Sequence, residues 1–248
     1  MANLSLLRTY ATKAPSEFPD SVLFTHTDRT LTIYDAYPKA IFHFLALPRI
    51  HDQTDSGLSL KDLHSLKTLL ACDKTRAKEL ITALKDDSEE VKKDIESEMV
   101  RRYGFKWPIW TGFHASPSMH HLHLHIISAD LCSEKLKHKK HYNSFHPKLG
   151  FFLHVDDVLP WFDSESSHFS QMAKLDAKRY EALLKEDLTC FHCDKSMKNI
   201  PTLKEHLQQE WNSQAARHKA KDERKRKLEA KKDEESSEDG SNKKQKSS

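Results

Sequence analysis

The sequence predicts an α+β fold, an antiparallel sheet covered by helices with a small finger-like unit appended near the C-terminus, and three observations carry that prediction. Between Pro117 and Ser128 (P-S-M-H-H-L-H-L-H-I-I-S), His121, His123 and His125 alternate with Leu122, Leu124 and Ile126. That is the period of two that sends successive side chains of a strand to opposite faces. Leu63, Leu66, Leu69 and Leu70, then Leu80, Ile81 and Leu84, recur at helical spacing, with no Gly or Pro between Leu60 and Gly104. Finally, Cys190-x2-Cys193-x12-His206-x3-Glu210 puts two cysteines on a knuckle and two further donors four residues apart on one helical face.

The remaining elements follow in order. Residues 3–14 suit a short helix capped by Asn3 and stopped before Pro15. Residues 22–24 and 31–34 read as strands around a turn at Thr27-Asp28-Arg29-Thr30, and 41–47 as a third strand after Pro38, which begins an antiparallel meander. One or two helices from Leu60 onward cover the sheet. Residues 105–113, with Trp107, Ile109 and Trp110, form a strand that Pro108 should hold at an edge or bulge. A further apolar strand spans 151–155, and the polar stretch 163–176 reads as a linker. Thr202-x-x-Glu205 offers a capping box to the helix of the Cys/His unit. The expected organisation is a helical segment (1–20), the main domain (21–162), a linker (163–186), a finger (187–216) and a basic, disordered tail (217–248).

With 248 residues the chain has room for one compact domain plus an appendage. Charged residues make up 31 %, and a net charge of only +3 conceals basic clusters, which matter more to a polyanion than the total does. Four cysteines, Cys72 and Cys132 isolated and the other two as Cys190-x-x-Cys193, suit a reducing compartment with one metal site rather than a disulfide framework. No stretch approaches the roughly 18 apolar residues of a membrane span, and the N-terminus lacks the order of a secretion signal. A soluble, intracellular protein without a membrane partner is expected.

Three imidazoles on one strand face can serve catalysis, bind zinc, or form an inert polar face. The second cluster is more specific: Cys190, Cys193 and His206 can close a tetrahedral structural zinc site, with Glu210 as fourth ligand where histidine is usual and His192 or a water as alternatives. Lys135, Lys137, Lys139 and Lys140 lie where a phosphate chain could enter beside the histidine strand. In the tail, Arg224 to Lys227, Lys231-Lys232 and Lys243-Lys244 suit nuclear import or loose nucleic-acid contact.

The His-φ-His-φ-His-φ-φ pattern resembles that of the histidine triad superfamily of nucleotide hydrolases and transferases. With the finger added, residues 22–211 resemble its DNA-repair branch, the aprataxins, through D-A-Y-P-K-A (35–40), G-F-H-A-S-P-S-M (112–119), K-K-H-Y-N-S-F (139–145) and L-K-E-H-L in the finger. Glu210, and the absence of a forkhead-associated phosphopeptide domain ahead of the triad, suggest a minimal, fungal-like form. The resemblance implies a histidine triad fold that removes AMP from 5′-adenylated DNA left by abortive ligation, through a covalent histidine–AMP intermediate. His123 would attack, His125 and His114 contact phosphates and assist proton transfer, and His121 and His43 orient His123. Lys39 and Ser118 would bind phosphate and Asp35 the ribose, beside an apolar adenine pocket from the first strands. Leu4, Leu7 and Tyr10 would wedge against the terminal base pair, with Lys137, Lys139 and Lys140 along the DNA. It further implies a structural zinc, no catalytic metal, nicked or double-stranded DNA and RNA–DNA junctions as partners, AMP as product, a monomer, and a nuclear location. The rivals are a triad hydrolase of dinucleotides or nucleoside phosphoramidates, and a non-catalytic zinc-finger nucleic-acid-binding protein.

Overall fold

The computed structural model describes the backbone of residues 3–50 and 57–244, and side chains up to residue 230. Strands β1 (Leu23–His26), β2 (Thr30–Tyr34), β3 (His43–Pro48), β4 (Ile109–His114), β5 (Leu124–Ser128) and β6 (Phe152–His154) form one antiparallel sheet in the order β1-β2-β3-β5-β4-β6. The turn between β1 and β2 closes where the sequence places it. The Thr27 hydroxyl accepts from the backbone N–H groups of Arg29 (3.1 Å) and Thr30 (3.0 Å), offering them a local partner in place of the ladder.

The register sorts side chains onto two faces. Phe44, Ala46, Leu122, Leu124 and Ile126 join the core under a long helix, whose Ile81, Leu84, Val91, Ile95 and Met99 are buried against them. After a short α2 (Leu66–Leu70), this helix, α3 (Lys74–Tyr103), begins at Asp73, whose side chain accepts from the Arg76 N–H, and ends at Gly104, whose φ of 77° only glycine adopts freely. The opposite face carries His43, Leu45, His125, Ile127 and His114 and is covered from both ends. At one end, α1 (Leu6–Ala11) lays Leu7 onto Ile33, Leu45 and Leu47. At the other, Leu188, Phe191, Leu203 and Leu207 of the Cys/His unit pack with Ile127, Tyr142, Phe145 and Phe152. The imidazoles lie between these two covers.

Gly112 is required by this packing. It pairs with His125 on β5 and His154 on β6, and a Cβ there would stand 2.4 Å from the Leu153 carbonyl oxygen and 2.8 Å from the Phe152 ring.

Several expectations need correction. The first helix begins at Leu6, because the Asn3 side chain accepts the Ser5 N–H in a local turn and does not cap a helix. Pro108 precedes β4, and β4 lies between β5 and β6 rather than at an edge; the proline removes no ladder bond, and its carbonyl accepts from Ala129 N–H. The expected linker holds α6 (Ser166–Ala173) and α7 (Ala177–Leu183), after α4 (Lys139–Asn143) and α5 (Val155–Val158). Phe169, Met172, Leu175 and Tyr180, thinly spaced in polar sequence, pack against the α3-side core. The finger helix is capped by Asn199, whose side chain accepts from Thr202 N–H, so Thr202 lies inside the helix. That helix, α8 (Ile200–Lys244), runs on to Lys244, past the point where an extension of the finger helix was expected to lose order, since Ala, Lys, Arg and Glu are strong helix formers. Lys231-Lys232 and Lys243-Lys244 fall outside the residues whose side chains are described.

Candidate active site and metal centre

The histidine run departs from the predicted strand at its start. His121 has a φ of 90°, costly for a residue with a Cβ, and β5 begins only at Leu124. Three bonds hold that backbone: His121 N–H donates to the His64 carbonyl, its ring Nε2 donates to the Pro48 carbonyl (2.9 Å), and its own carbonyl receives His123 Nδ1–H (2.8 Å). The imidazoles are also not solvent-facing; His121, His123 and His125 are 1, 8 and 5 % exposed. Residues 144–151 and the finger close over the face that alternation alone leaves open.

His43, His114 and His123 surround His125, with ring centroids 5.3, 4.3 and 5.0 Å from its own. Phe145 covers the group, 5.3 Å from His43, 4.7 Å from His114 and 5.1 Å from His125. Hydrogen-bond partners assign the protons. Lys39 N–H donates to His43 Nδ1 (3.2 Å), so neutral His43 carries its proton on Nε2 and donates it to His125 Nδ1 (3.0 Å). His125 is then protonated at Nε2, an atom buried without a partner. His123, donating from Nδ1 to a carbonyl, keeps its lone pair on Nε2. The Nε2 of His114 is also buried and unpartnered. The cluster therefore combines a free imidazole lone pair with two ring nitrogens that lack partners.

Burial keeps these rings neutral. It lowers His43 to about 4 against the attraction of Asp35, whose Oδ2 lies 3.5 Å from His43 Nδ1. It takes His114 and His125 well below the ordinary imidazole range, the neighbouring imidazoles adding to the effect. His123 is also lowered by burial, opposed by its bond to the His121 carbonyl and by Asp35. Asp35, His43 and His125 stand close enough to suggest a cation site. However, the facing His43 and His125 nitrogens are engaged with each other and His43 Nδ1 with Lys39 N–H, so the donors a cation needs are taken.

Asp35 and Lys39 thus join the cluster; Lys39 is half-buried, its amine pKa lowered by burial against Asp35, and its Nζ donates to the Tyr37 carbonyl. Ser118 stands exposed on the loop before His121. Leu4 is exposed and Tyr10 packs edge-on against Phe18, but Leu7, 3 % exposed, is a core residue with no surface to offer a base pair. Lys137 and Lys140 are exposed, whereas Lys139 donates to Asp187 (3.3 Å) and the Lys185 carbonyl, tying α4 to the chain ahead of the finger. A cavity of about 610 Å³, lined by Phe24, Tyr34, Phe44, Glu98 and Arg102 together with Asp35 and His43, lies against α3. The cleft beside the chemistry is a narrow gap bounded by Ser65, His114, Pro117 and His123.

In the finger, donor atoms of Cys190, Cys193 and His206 lie within 4.8 Å of one another, and Cys193 Sγ is 3.2 Å from His206 Nε2. The knuckle is shaped by Asp194, at φ 57°, with Asp194 N–H donating to the Cys190 carbonyl (2.8 Å) and a bridge between Thr189 and Ser196. Of the proposed fourth ligands, His192 stacks on Phe191, while Glu210 Oε1 stands 3.6 Å from His206 Nε2. Two thiolates, an imidazole and a carboxylate make a closed set that suits structural zinc.

Comparison with known proteins accords with both centres. Residues 9–141 match the family described as "Scavenger mRNA decapping enzyme C-term binding", and residues 148–213 match a "C2HE / C2H2 / C2HC zinc-binding finger". An aprataxin-like protein of Saccharomyces cerevisiae is 31 % identical over 228 residues, 84 % of this chain and 95 % of that protein. The chain belongs to the aprataxin family. Aprataxin of Ciona intestinalis is 32 % identical over 79 % of this chain. A solved structure described as "Hnt3 in complex with DNA and guanosine" superposes with a TM-score of 0.61 at 25 % identity, covering 86 % of this chain and 97 % of that one. The chain spans 44, 34 and 49 % of the relatives from Ciona intestinalis, Dictyostelium discoideum and Gallus gallus.

The fold is that of the histidine triad proteins, and the zinc-binding finger is part of the same chain. The finger match begins at residue 148, well before the expected 187, in keeping with a finger that shares a core with the sheet. Phe145 carries no chemical signal within K-K-H-Y-N-S-F; only tertiary packing brings its ring onto three imidazoles. Arg8, His64 and His120 belong to three separate segments, and no spacing in the sequence links them.

Proposed function

We propose that this chain removes AMP from 5′-adenylated DNA through a covalent histidine–AMP intermediate. The observation that carries the reading is the proton arrangement: a neutral His123 with its lone pair on Nε2, beside His125 and His114 whose Nε2 atoms are buried and unpartnered. Buried polar atoms without partners cost about 1–3 kcal/mol each, so the cleft favours a ligand that supplies partners. A phosphoryl group does. His123 Nε2 attacks the adenylate phosphorus; a P–N bond forms, the P–O bond to the DNA 5′ phosphate breaks, and that phosphate leaves with the electron pair. His125 Nε2–H donates to a non-bridging oxygen of the phosphorus as charge builds on it. Water then attacks, His114 Nε2 accepts its proton, the P–N bond breaks, and AMP leaves.

Asp35 holds the ribose hydroxyls, Lys39 and Ser118 hold phosphate, and adenine lies in an apolar pocket beside the first strands. His43 and His121 act as positioning residues through His125 and His123. DNA in the Hnt3 structures supports a duplex partner for this chain too, with Leu4, Tyr10, Lys137 and Lys140 along its path. Nicks and RNA–DNA junctions are the proposed lesions, the unit works as a monomer without a catalytic metal, and the basic helix directs it to the nucleus. Zinc, when bound by Cys190, Cys193, His206 and Glu210, supplies rigidity rather than a reaction step.

The test is AMP release from 5′-adenylated nicked DNA and from a diadenosine polyphosphate under identical conditions. A kcat/KM at least about a hundredfold higher on the DNA is expected, since remote strand contacts contribute to transition-state binding. A preference for the dinucleotide would favour a general triad hydrolase instead.

A further inference from the structure

Outside the imidazole cleft, three basic side chains meet at its border. Arg8 from α1, His64 from the turn before α2, and His120 from the loop before β5 are each half-buried. Arg8 Nη2 donates to His64 Nδ1 (3.1 Å), the His64 and His120 rings meet at a tilt of 39° with centroids 4.6 Å apart, and Ser5 Oγ lies 3.4 Å from His120 Nδ1. The backbone fixes the group: His120 N–H donates to the Leu4 carbonyl, and His121 and Leu122 N–H donate to the carbonyls of His64 and Leu63.

The group lacks a counter-charge. Among the described residues no carboxylate pairs with Arg8, His64 or His120, although elsewhere Arg29, Arg101 and Arg102 each have one. Arg8 spends one N–H on a neutral acceptor, which leaves its charge uncompensated, and its Nε is buried without a partner. A guanidinium drawn partly out of water among imidazoles carries a desolvation cost that an anion would offset. The location says which anion could reach it. His120 precedes His121, and Ser65, which follows His64, lines the gap that leads to His114 and His123.

We propose that Arg8, His64 and His120 form a seat for a backbone phosphodiester of the nucleic-acid strand whose end enters the cleft. This deepens the reading of the cleft as a site for adenylated DNA and rests on it for the direction of the strand. Arg8 presents the planar fork that matches phosphate oxygens, and the imidazole N–H groups complete the seat. The same chemistry would accept the phosphate of a free nucleotide, so the test separates the two sources.

The experiment is binding of the full chain to a 5′-phosphorylated, unadenylated nicked duplex, measured by anisotropy over a salt series, for wild type, Arg8→Gln, Arg8→Lys and His120→Gln. Arg8→Gln should bind about tenfold more weakly, with the log–log salt slope shallower by about 0.9, the value for one phosphate. Arg8→Lys should keep the slope, and His120→Gln should weaken binding without removing a full unit of it. A neutral methylphosphonate at the seated linkage should impose the same loss on wild type and none on Arg8→Gln, which tests the seat even where a variant is less stable. Unchanged affinity and slope in a folded Arg8→Gln would overturn the proposal. A loss of AMP affinity with normal duplex binding would overturn the strand assignment in favour of a free nucleotide. Because the duplex carries no adenylate, this binding result stands apart from AMP release: a wild type that binds through Arg8 but releases no AMP contradicts the hydrolase reading and leaves the seat intact.

Discussion

Which nitrogen holds a proton decides what the cleft can do. The relay from Lys39 N–H through His43 to His125 gives His43 a role that an asparagine cannot fully replace, because the amide is shorter than the ring and His125 would lose its fixed tautomer. His43→Asn should therefore lower kcat by about 10–100-fold with little change in KM, the signature of a lost transition-state interaction; steady-state kinetics on adenylated nicked DNA would check it. The same burial sets a pH dependence. Unfolded, these imidazoles titrate near 6.5, whereas His43 and His121 titrate near 4 in the fold. The unfolded chain thus binds protons that the folded one refuses. The stability from keeping them neutral is whole above about pH 6.5 and is lost as pH falls toward 4, on the order of 3 kcal/mol for each ring. Urea midpoints should decline across that window, and a midpoint flat from pH 7 to 4 would contradict the burial. Alternation of His and Leu made the strand legible, but it could not reveal the left-handed His121 or the covers on the imidazole face. Those come from His64, Pro48 and Phe145, distant in sequence and brought near only by the fold.

The finger and the sheet behave as one body. Tyr142 of α4 donates to the Thr189 carbonyl and accepts from Phe191 N–H, and Phe145, two residues beyond α4, rests on three imidazoles. The metal is thereby coupled to the chemistry through packing. One zinc per chain is expected, and its removal by a chelator should expose Cys190, unfold the finger locally and lower turnover together, with recovery when zinc is returned. Full activity in a zinc-free, locally unfolded protein would show that Phe145 does not depend on the finger. The finger was legible because metal ligands need fixed spacing. Its start was not, because the shared apolar surface of Leu188, Phe191, Leu203 and Leu207 carries no motif. Helices α6 and α7 were hidden for a similar reason: few apolar residues in polar sequence suffice to hold short helices on a surface that already exists.

Across the whole molecule, a small cleft is joined to an extended basic helix. No described helix is long and apolar enough to cross a membrane, and the basic run Arg224 to Lys227 of α8 suits a polyanion. Removing residues 217–248 should weaken duplex binding and flatten its salt dependence, while saturated turnover stays near wild type, since the triad and the Cys190, Cys193, His206 cluster with Glu210 remain. Turnover at saturating DNA, measured beside binding over a salt series, checks this. That this stretch is helical was only partly legible, because its composition favours helix and solvation alike. In the proposed reaction His123 carries AMP between two half-reactions. Wild type mixed with nicked DNA bearing radiolabelled adenylate and quenched with base in the first turnover should hold acid-labile label on the peptide containing His123. His123→Ala, folded and still binding the duplex, should hold none and release no AMP. Label absent from wild type during rapid turnover, or normal AMP release by the variant, would contradict the account.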